Sequence, residues 1–141
     1  MRISKWLVGA LFMSGFLANN SMAQSHNFNW SQPVGSTGTD VGTSITSDPS
    51  GNIISTGYFS GTIDFEDGPG VTNLTSNGGT DIYVKKTDAD GNLIWAINLG
   101  STTDDVANGV ATDPVGQVYI SGYFSGTMDA DPGVGVTNLT S

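Results

Sequence analysis

The sequence predicts an all-β protein made of antiparallel four-stranded blades of an incomplete β-propeller, and three observations predict it. A 65-residue unit occurs twice. Each unit breaks into short β-branched and aromatic runs separated by Gly, Pro, Asn and Asp turns. Several runs are apolar on consecutive residues, the pattern of strands covered on both faces. Stacked blades bury both faces of each sheet. A β-sandwich, the alternative architecture, calls for cleaner alternation.

The repeat is legible residue by residue. Gly57-Tyr58-Phe59-Ser60-Gly61-Thr62 returns as Gly122-Tyr123-Phe124-Ser125-Gly126-Thr127, and Val71 to Ser76 returns as Val136 to Ser141. The same offset of 65 pairs Trp30 with Trp95, Asp40 with Asp105 and Asp48-Pro49 with Asp113-Pro114, giving copies 30–76 and 95–141. Common propeller blades run about 40–50 residues, so one connection in this unit is enlarged.

Four strands are expected per unit. Val106–Thr112 is the first, closed by Asp113-Pro114-Val115-Gly116, with Pro and Gly where a turn favours them. Val118–Phe124, with counterpart Ile53–Phe59, is the second. Asp81–Thr87 is the third, Asp90-Gly91 a hairpin turn, and Asn92–Leu99 the fourth. Residues 60–80 are the enlarged connection: a strand extension, an acidic Gly/Pro turn and a short returning strand at Val71–Thr75. Phe28-Asn29-Trp30-Ser31 matches the fourth strand and is expected to close the last blade of a ring. The third and fourth strands of the second copy are missing, so further blades of a longer chain are expected as partners.

Residues 1–23 read as a signal peptide. Arg2 and Lys5 give a basic start, Trp6 to Ala18 a short apolar run, and Ser21-Met22-Ala23 the small residues that signal peptidase reads. The run is too short to cross a bilayer as a helix, so no membrane insertion is expected after cleavage. Secretion or cell-surface display follows. No cysteine is present, so stability must come from burial and sheet pairing. The chain holds 4 basic and 13 acidic residues for a formal charge of -9, and cleavage removes Arg2 and Lys5. Such a surface repels phosphate backbones and excludes nucleic acid as a partner. A protein or a glycan remains.

Beyond the repeat itself, Asp40-Val41, Asp48-Pro49-Ser50-Gly51-Asn52-Ile53-Ile54, Gly57, Asp81-Ile82-Tyr83-Val84-Lys85, Asp90-Gly91-Asn92 and Trp95 form a pattern. It resembles the bacterial SBBP repeat, the "seven-bladed β-propeller" repeat, over essentially the whole of residues 24–141. The insert from Phe59 to Ser76 is similar to the version in large surface or secreted bacterial proteins. The resemblance implies a propeller scaffold and transfers no catalytic residue.

Few residues suggest chemistry. Asp64, Glu66 and Asp67, with Asp129 and Asp131 in the second copy, gather carboxylates in a Gly/Pro loop of the kind calcium favours. Asp67 is replaced by Pro132, so the ligand pattern is not kept, and solvated turns are the plainer reading. Asp88-Ala89-Asp90-Gly91-Asn92 fails as an EF-hand because position 99 is Leu. His26 is the only histidine, and no base for a nucleophile is evident. Trp30 and Trp95 suit the core better than a sugar platform. No catalytic, cofactor or metal residue is assigned. The function expected is a non-catalytic exported scaffold that binds or spaces. The alternative is the N-terminal propeller of a secreted polymer-degrading enzyme whose catalytic residues lie elsewhere.

Sequencing the N-terminus of the exported protein should return Gln24 as its first residue. A start at Met1 in the exported fraction would contradict the leader assignment.

Overall fold

The computed structural model describes residues 30–141. The leader, the Gln24 junction, His26, Phe28 and Asn29 lie outside the described residues. Ten strands and no helix occur within them: β1 Asp40–Ser47, β2 Ile53–Phe59, β3 Thr62–Asp64, β4 Asn73–Thr75, β5 Asp81–Thr87, β6 Leu93–Leu99, β7 Val106–Thr112, β8 Val118–Tyr123, β9 Thr127–Asp129 and β10 Asn138–Thr140.

β1, β2, β5 and β6 form one antiparallel sheet in that order, which is a propeller blade. The register runs Ile53 to Phe59 against Thr87 to Asp81, and Ile82 against Leu99. β3 and β4 form a separate hairpin inserted between the two middle strands. In the second copy β7 pairs with β8 and β9 with β10. The second copy thus reproduces strands one and two of the blade and its insert. The closely packed neighbour of β1 is β7, its counterpart: Thr112 Oγ1 donates to the Ser47 carbonyl at 2.8 Å and Val110 N–H to Ser44 Oγ at 3.2 Å. Inner strands of successive repeats therefore lie side by side, which is blade stacking and not a sandwich.

Side chains alternate across the blade into two cores. On one face Ile54, Ile82 and Val84 meet Ala107 of the next repeat, flanked by Trp95, Ile97, Val118 and Ile120. On the other, Phe59 and Tyr83 meet Ile63 and Phe65 from the insert, with Leu74 packed beside them. The continuous apolar runs of β5 and β6 follow from this double covering. Phe59 and Phe65 stand edge to face at 5.9 Å, and Phe65 lies 5.4 Å from Tyr83, a favourable aromatic arrangement. The enlarged connection is therefore a lid folded over one face of its own blade.

Backbone irregularities repeat as well. Each first strand carries a bulge, between Gly42 and Ser44 and between Ala107 and Gly109. Opposite each lies an obligatory glycine. A Cβ on Gly57 would fall 1.9 Å from the Val41 carbonyl oxygen, and one on Gly122 would fall 2.1 Å from that of Val106. No larger residue fits either strand crossing.

Four expectations shift, the first being the returning strand of the insert, which spans Asn73–Thr75 and not Val71–Thr75. Trp30 and Ser31 lie outside any strand, because no neighbouring strand among the described residues pairs with them. β8 stops at Tyr123 and not at Phe124, and β6 begins at Leu93, since the Asn92 N–H and amide already bond Asp88.

Phe59→Ala should destabilise the chain by about 3–5 kcal/mol, as emptying a buried aromatic site usually does. Val71→Ala, at an exposed site on the insert, should change stability by less than about 0.5 kcal/mol. Denaturant unfolding of both variants checks this, and similar losses would mean that the insert does not cover the blade.

Candidate functional site

The acidic residues are numerous, and their placement decides what the surface can bind. Eight carboxylates close backbone turns in three recurring ways. Asp48, Asp88 and Asp113 each follow a strand, and one oxygen of each accepts two N–H groups further along: Ser50 and Asn52, Asp90 and Asn92, Val115 and Gln117, at 2.8–3.0 Å. These are Asx-type turns, in which the side chain mimics a backbone acceptor. Asp40 and Asp81 open strands, Asp105 stands just before one, and each takes the N–H four residues back, from Ser36, Asn77 and Ser101, at 2.6–3.0 Å. Asp64 and Asp129 close the insert, each accepting two N–H groups across its loop at 2.7–3.0 Å.

In the two candidate calcium loops Asp64 and Asp129 thus accept backbone N–H groups as turn caps. Among the described residues no three carboxylates or histidines converge as metal ligands. Asp88 heads the hairpin turn anticipated for 88–92. The third member of the strand-preceding set was hidden in the sequence, because Asn77 to Asp81 does not share the 65-residue offset that links Asp40 to Asp105. The common signal was a Ser or Asn four residues before an Asp that starts a strand.

Two of these carboxylates sit in opposite electrostatic surroundings. Asp48 is buried, and Lys86 Nζ lies 2.7 Å from its Oδ2 while Asn52 also donates to it. These partners, Lys86 foremost, hold its pKa well below the ordinary carboxylate range. Asp81 is fully buried, and among the described residues its Oδ1 has no hydrogen-bond partner. Burial pushes its pKa up, and the nearby charge of Asp105 adds to this. Lys85 is buried on the opposite face from Lys86 and donates to Gln32 Oε1 at 2.7 Å. Desolvation lowers its pKa, opposed by the charges of Asp67 and Glu66.

Two grooves flank the blade, and they are the same groove one repeat apart. Trp30, Gln32, Val34, Ile53 and Ser55 line the first, of about 330 Å³. Trp95, Ile97, Leu99, Val118 and Ile120 line the second, of about 580 Å³. All five pairs stand at the offset of 65. Tyr83, Lys85 and Thr87 of β5 wall the first. In the second the facing wall is the insert loop Ala130–Gly133. Ala130 occupies the place of Phe65, which widens the space further.

The tryptophans are half-buried and not enclosed in the core. Trp30 lies on Gly91, where a Cβ would approach the indole to 2.9 Å, and its Nε1 donates to the Ala89 carbonyl at 3.0 Å. One face of that ring is therefore taken by the turn between β5 and β6. Trp95 faces the wider groove. The grooves offer apolar walls, an indole and, in the first, a hydrogen-bonded ammonium. The hydroxyls beside carboxylates, Ser36 with Asp40 and Ser101 with Asp105, lie in the turns that precede β1 and β7.

The two carboxylates predict opposite effects of charge removal. A lowered folded pKa contributes stability that is present above the unfolded value of about 3.9 and lost as pH falls through the folded value. Asp48→Asn should therefore lower the melting temperature at pH 7, with the difference vanishing in strong acid. A raised folded pKa works the other way, so ionised Asp81 costs stability at neutral pH. Asp81→Asn should raise the melting temperature at pH 7 relative to pH 3. Thermal melts across that range check both signs.

Among known proteins, the chain is 38% identical over 87 residues to an uncharacterised WD repeat-containing protein of Acanthamoeba polyphaga mimivirus. The alignment covers 57% of this chain and 6% of that relative, so the chain spans a small part of the protein it matches. No known family profile matches the chain, and no solved structure matches it. The similarity is to a protein built of repeats that form propellers, in agreement with the repeated four-stranded blade.

Proposed function

We propose that this chain is part of an exported, non-catalytic β-propeller that serves as a binding or structural scaffold at the cell surface or outside the cell. The observation that carries the reading is the use of the polar residues. Eight acids, in three recurring settings, cap backbone turns, and Lys86 and the buried Lys85 pair with Asp48 and Gln32. What would be the reactive side chains of an enzyme are here committed to holding the blade. The leader layout of residues 1–23 supports export, and the likeness to the SBBP repeat supports assignment to that bacterial type. The partner is a protein or a glycan that the acidic surface does not repel, and no cofactor is needed.

The purified protein, immobilised and exposed to cell-surface extract and to soluble polysaccharides, should retain a partner saturably and release it chemically unchanged. Chelation of divalent ions should leave retention as it was. Release of shortened peptide or sugar chains would overturn the scaffold reading in favour of a hydrolase.

A further inference from the structure

Two Asn-Gly steps occur among the described residues, Asn77-Gly78 and Asn108-Gly109. Such a step is chemically labile, because a glycine nitrogen, with no Cβ beside it, reaches the preceding side-chain amide without hindrance. Both asparagines are exposed, so accessibility does not separate them. Their backbones do. Asn108 lies inside β7, held between Ala107 opposite Gly122 and Gly109 opposite Ser121. Ring closure there would pull the strand out of its ladder. Asn77 lies in the bend between β4 and β5, and among the described residues no hydrogen bond holds the Gly78 N–H.

The fold nevertheless fixes this step in place. A Cβ on Gly78 would fall 2.2 Å from the Thr102 carbonyl oxygen, and one on Gly79 would fall 2.2 Å from Asp104 Oδ1. The bend is thus pressed against the connection that leads into the next repeat. Thr80 continues the contact, donating its N–H to Asp104 Oδ1 at 2.9 Å and accepting the Asp105 N–H at 2.7 Å. Asn77 itself occupies the corner position held by Ser36 and Ser101 elsewhere. Those serines give both N–H and Oγ to their aspartates. Asn77 gives its N–H to Asp81 at 3.0 Å, while its side-chain amide reaches the Gly100 carbonyl at a long 3.3 Å. The labile amide is held weakly, at the joint between repeats.

We propose that Asn77-Gly78 is a site of spontaneous deamidation that ages the joint between the two repeats. The Gly78 nitrogen loses its proton and attacks Asn77 Cγ. The new N–Cγ bond forms, the Cγ–Nδ2 bond breaks, and ammonia leaves with that proton. Water then opens the cyclic imide, at Cγ to give aspartate or at the main-chain carbonyl to give isoaspartate, whose main chain is longer by one methylene. Either product adds a carboxylate to the turn capped by the fully buried Asp81, whose Oδ1 has no partner among the described residues. Like charges in such a place repel. The longer main chain also displaces Gly78 and Gly79 from Thr102 and Asp104. The site is independent of export and of what the scaffold binds.

The purified chain, held in mildly alkaline ¹⁸O-labelled water and sampled over time, tests this by peptide mass mapping. Cleavage after Lys85 and Lys86 puts the two steps in separate peptides. Label should enter at Asn77 at least about fivefold faster than at Asn108, since a strand residue reacts only after local opening. In denaturant the difference should collapse. The aged chain should melt at a lower temperature than the fresh one. Asn77→Ser, which gives this corner the residue of the other two, should keep its melting temperature through the same ageing. Equal or slower labelling at Asn77 in the folded chain would overturn the proposal, and so would a difference that persists unchanged in denaturant. A loss of melting temperature in the aged Asn77→Ser chain as large as in the original would overturn it as well.

Discussion

A four-stranded sheet whose middle strands carry apolar side chains on both faces is stable only when both faces are covered, and this requirement organises the chain. One face of the blade is covered by the next repeat, through Ala107, Val110, Val118 and Ile120 against Ile54, Ile82 and Val84. The other is covered from within the repeat, by Ile63 and Phe65 of the insert against Phe59 and Tyr83. With no cysteine to cross-link the fold, contact between layers carries the stability. The 65-residue period has its explanation here, since the extra length of the repeat is the covering hairpin.

The acidic composition has a second, independent explanation. A propeller blade is mostly turns and short strands, and every turn leaves backbone N–H groups that need acceptors. An aspartate supplies one within a few residues and at low steric cost. Much of the negative charge is thus turn chemistry repeated along the chain. At Asp48 such a carboxylate is also ion-paired across the sheet, to Lys86 of the third strand. That contact links turn to strand in the first copy, whereas in the second the Tyr119 hydroxyl donates to the corresponding oxygen of Asp113.

Much of this was legible in the sequence. Val106–Thr112, Ile53–Phe59 and Asp81–Thr87 were read with the boundaries they have, because turn residues frame each of them. The strand–turn–strand form of the insert was readable too. Its role as a lid was not, since nothing local distinguishes an Ile63 or Phe65 that folds back from one that points to solvent. The capping role of Asp81 was hidden because it recurs inside the repeat, not at its period. The half-buried state of Trp30 and Trp95 was also illegible, for it depends on what lies across each groove. Equivalence at offset 65 was readable, but the changes that matter at the grooves, Gln32 to Ile97 and Phe65 to Ala130, gained meaning only when β5 was seen as the wall between them.

Native-state hydrogen exchange resolved by residue tests most directly the claim that the middle strands of the β1-β2-β5-β6 sheet are paired on both edges and covered on both faces. In β2, hydrogen-bonded to β1 and β5, and in β5, hydrogen-bonded to β2 and β6, successive amides should all exchange slowly. Fast exchange along β2 or β5 would contradict the account, because the double covering would then not hold.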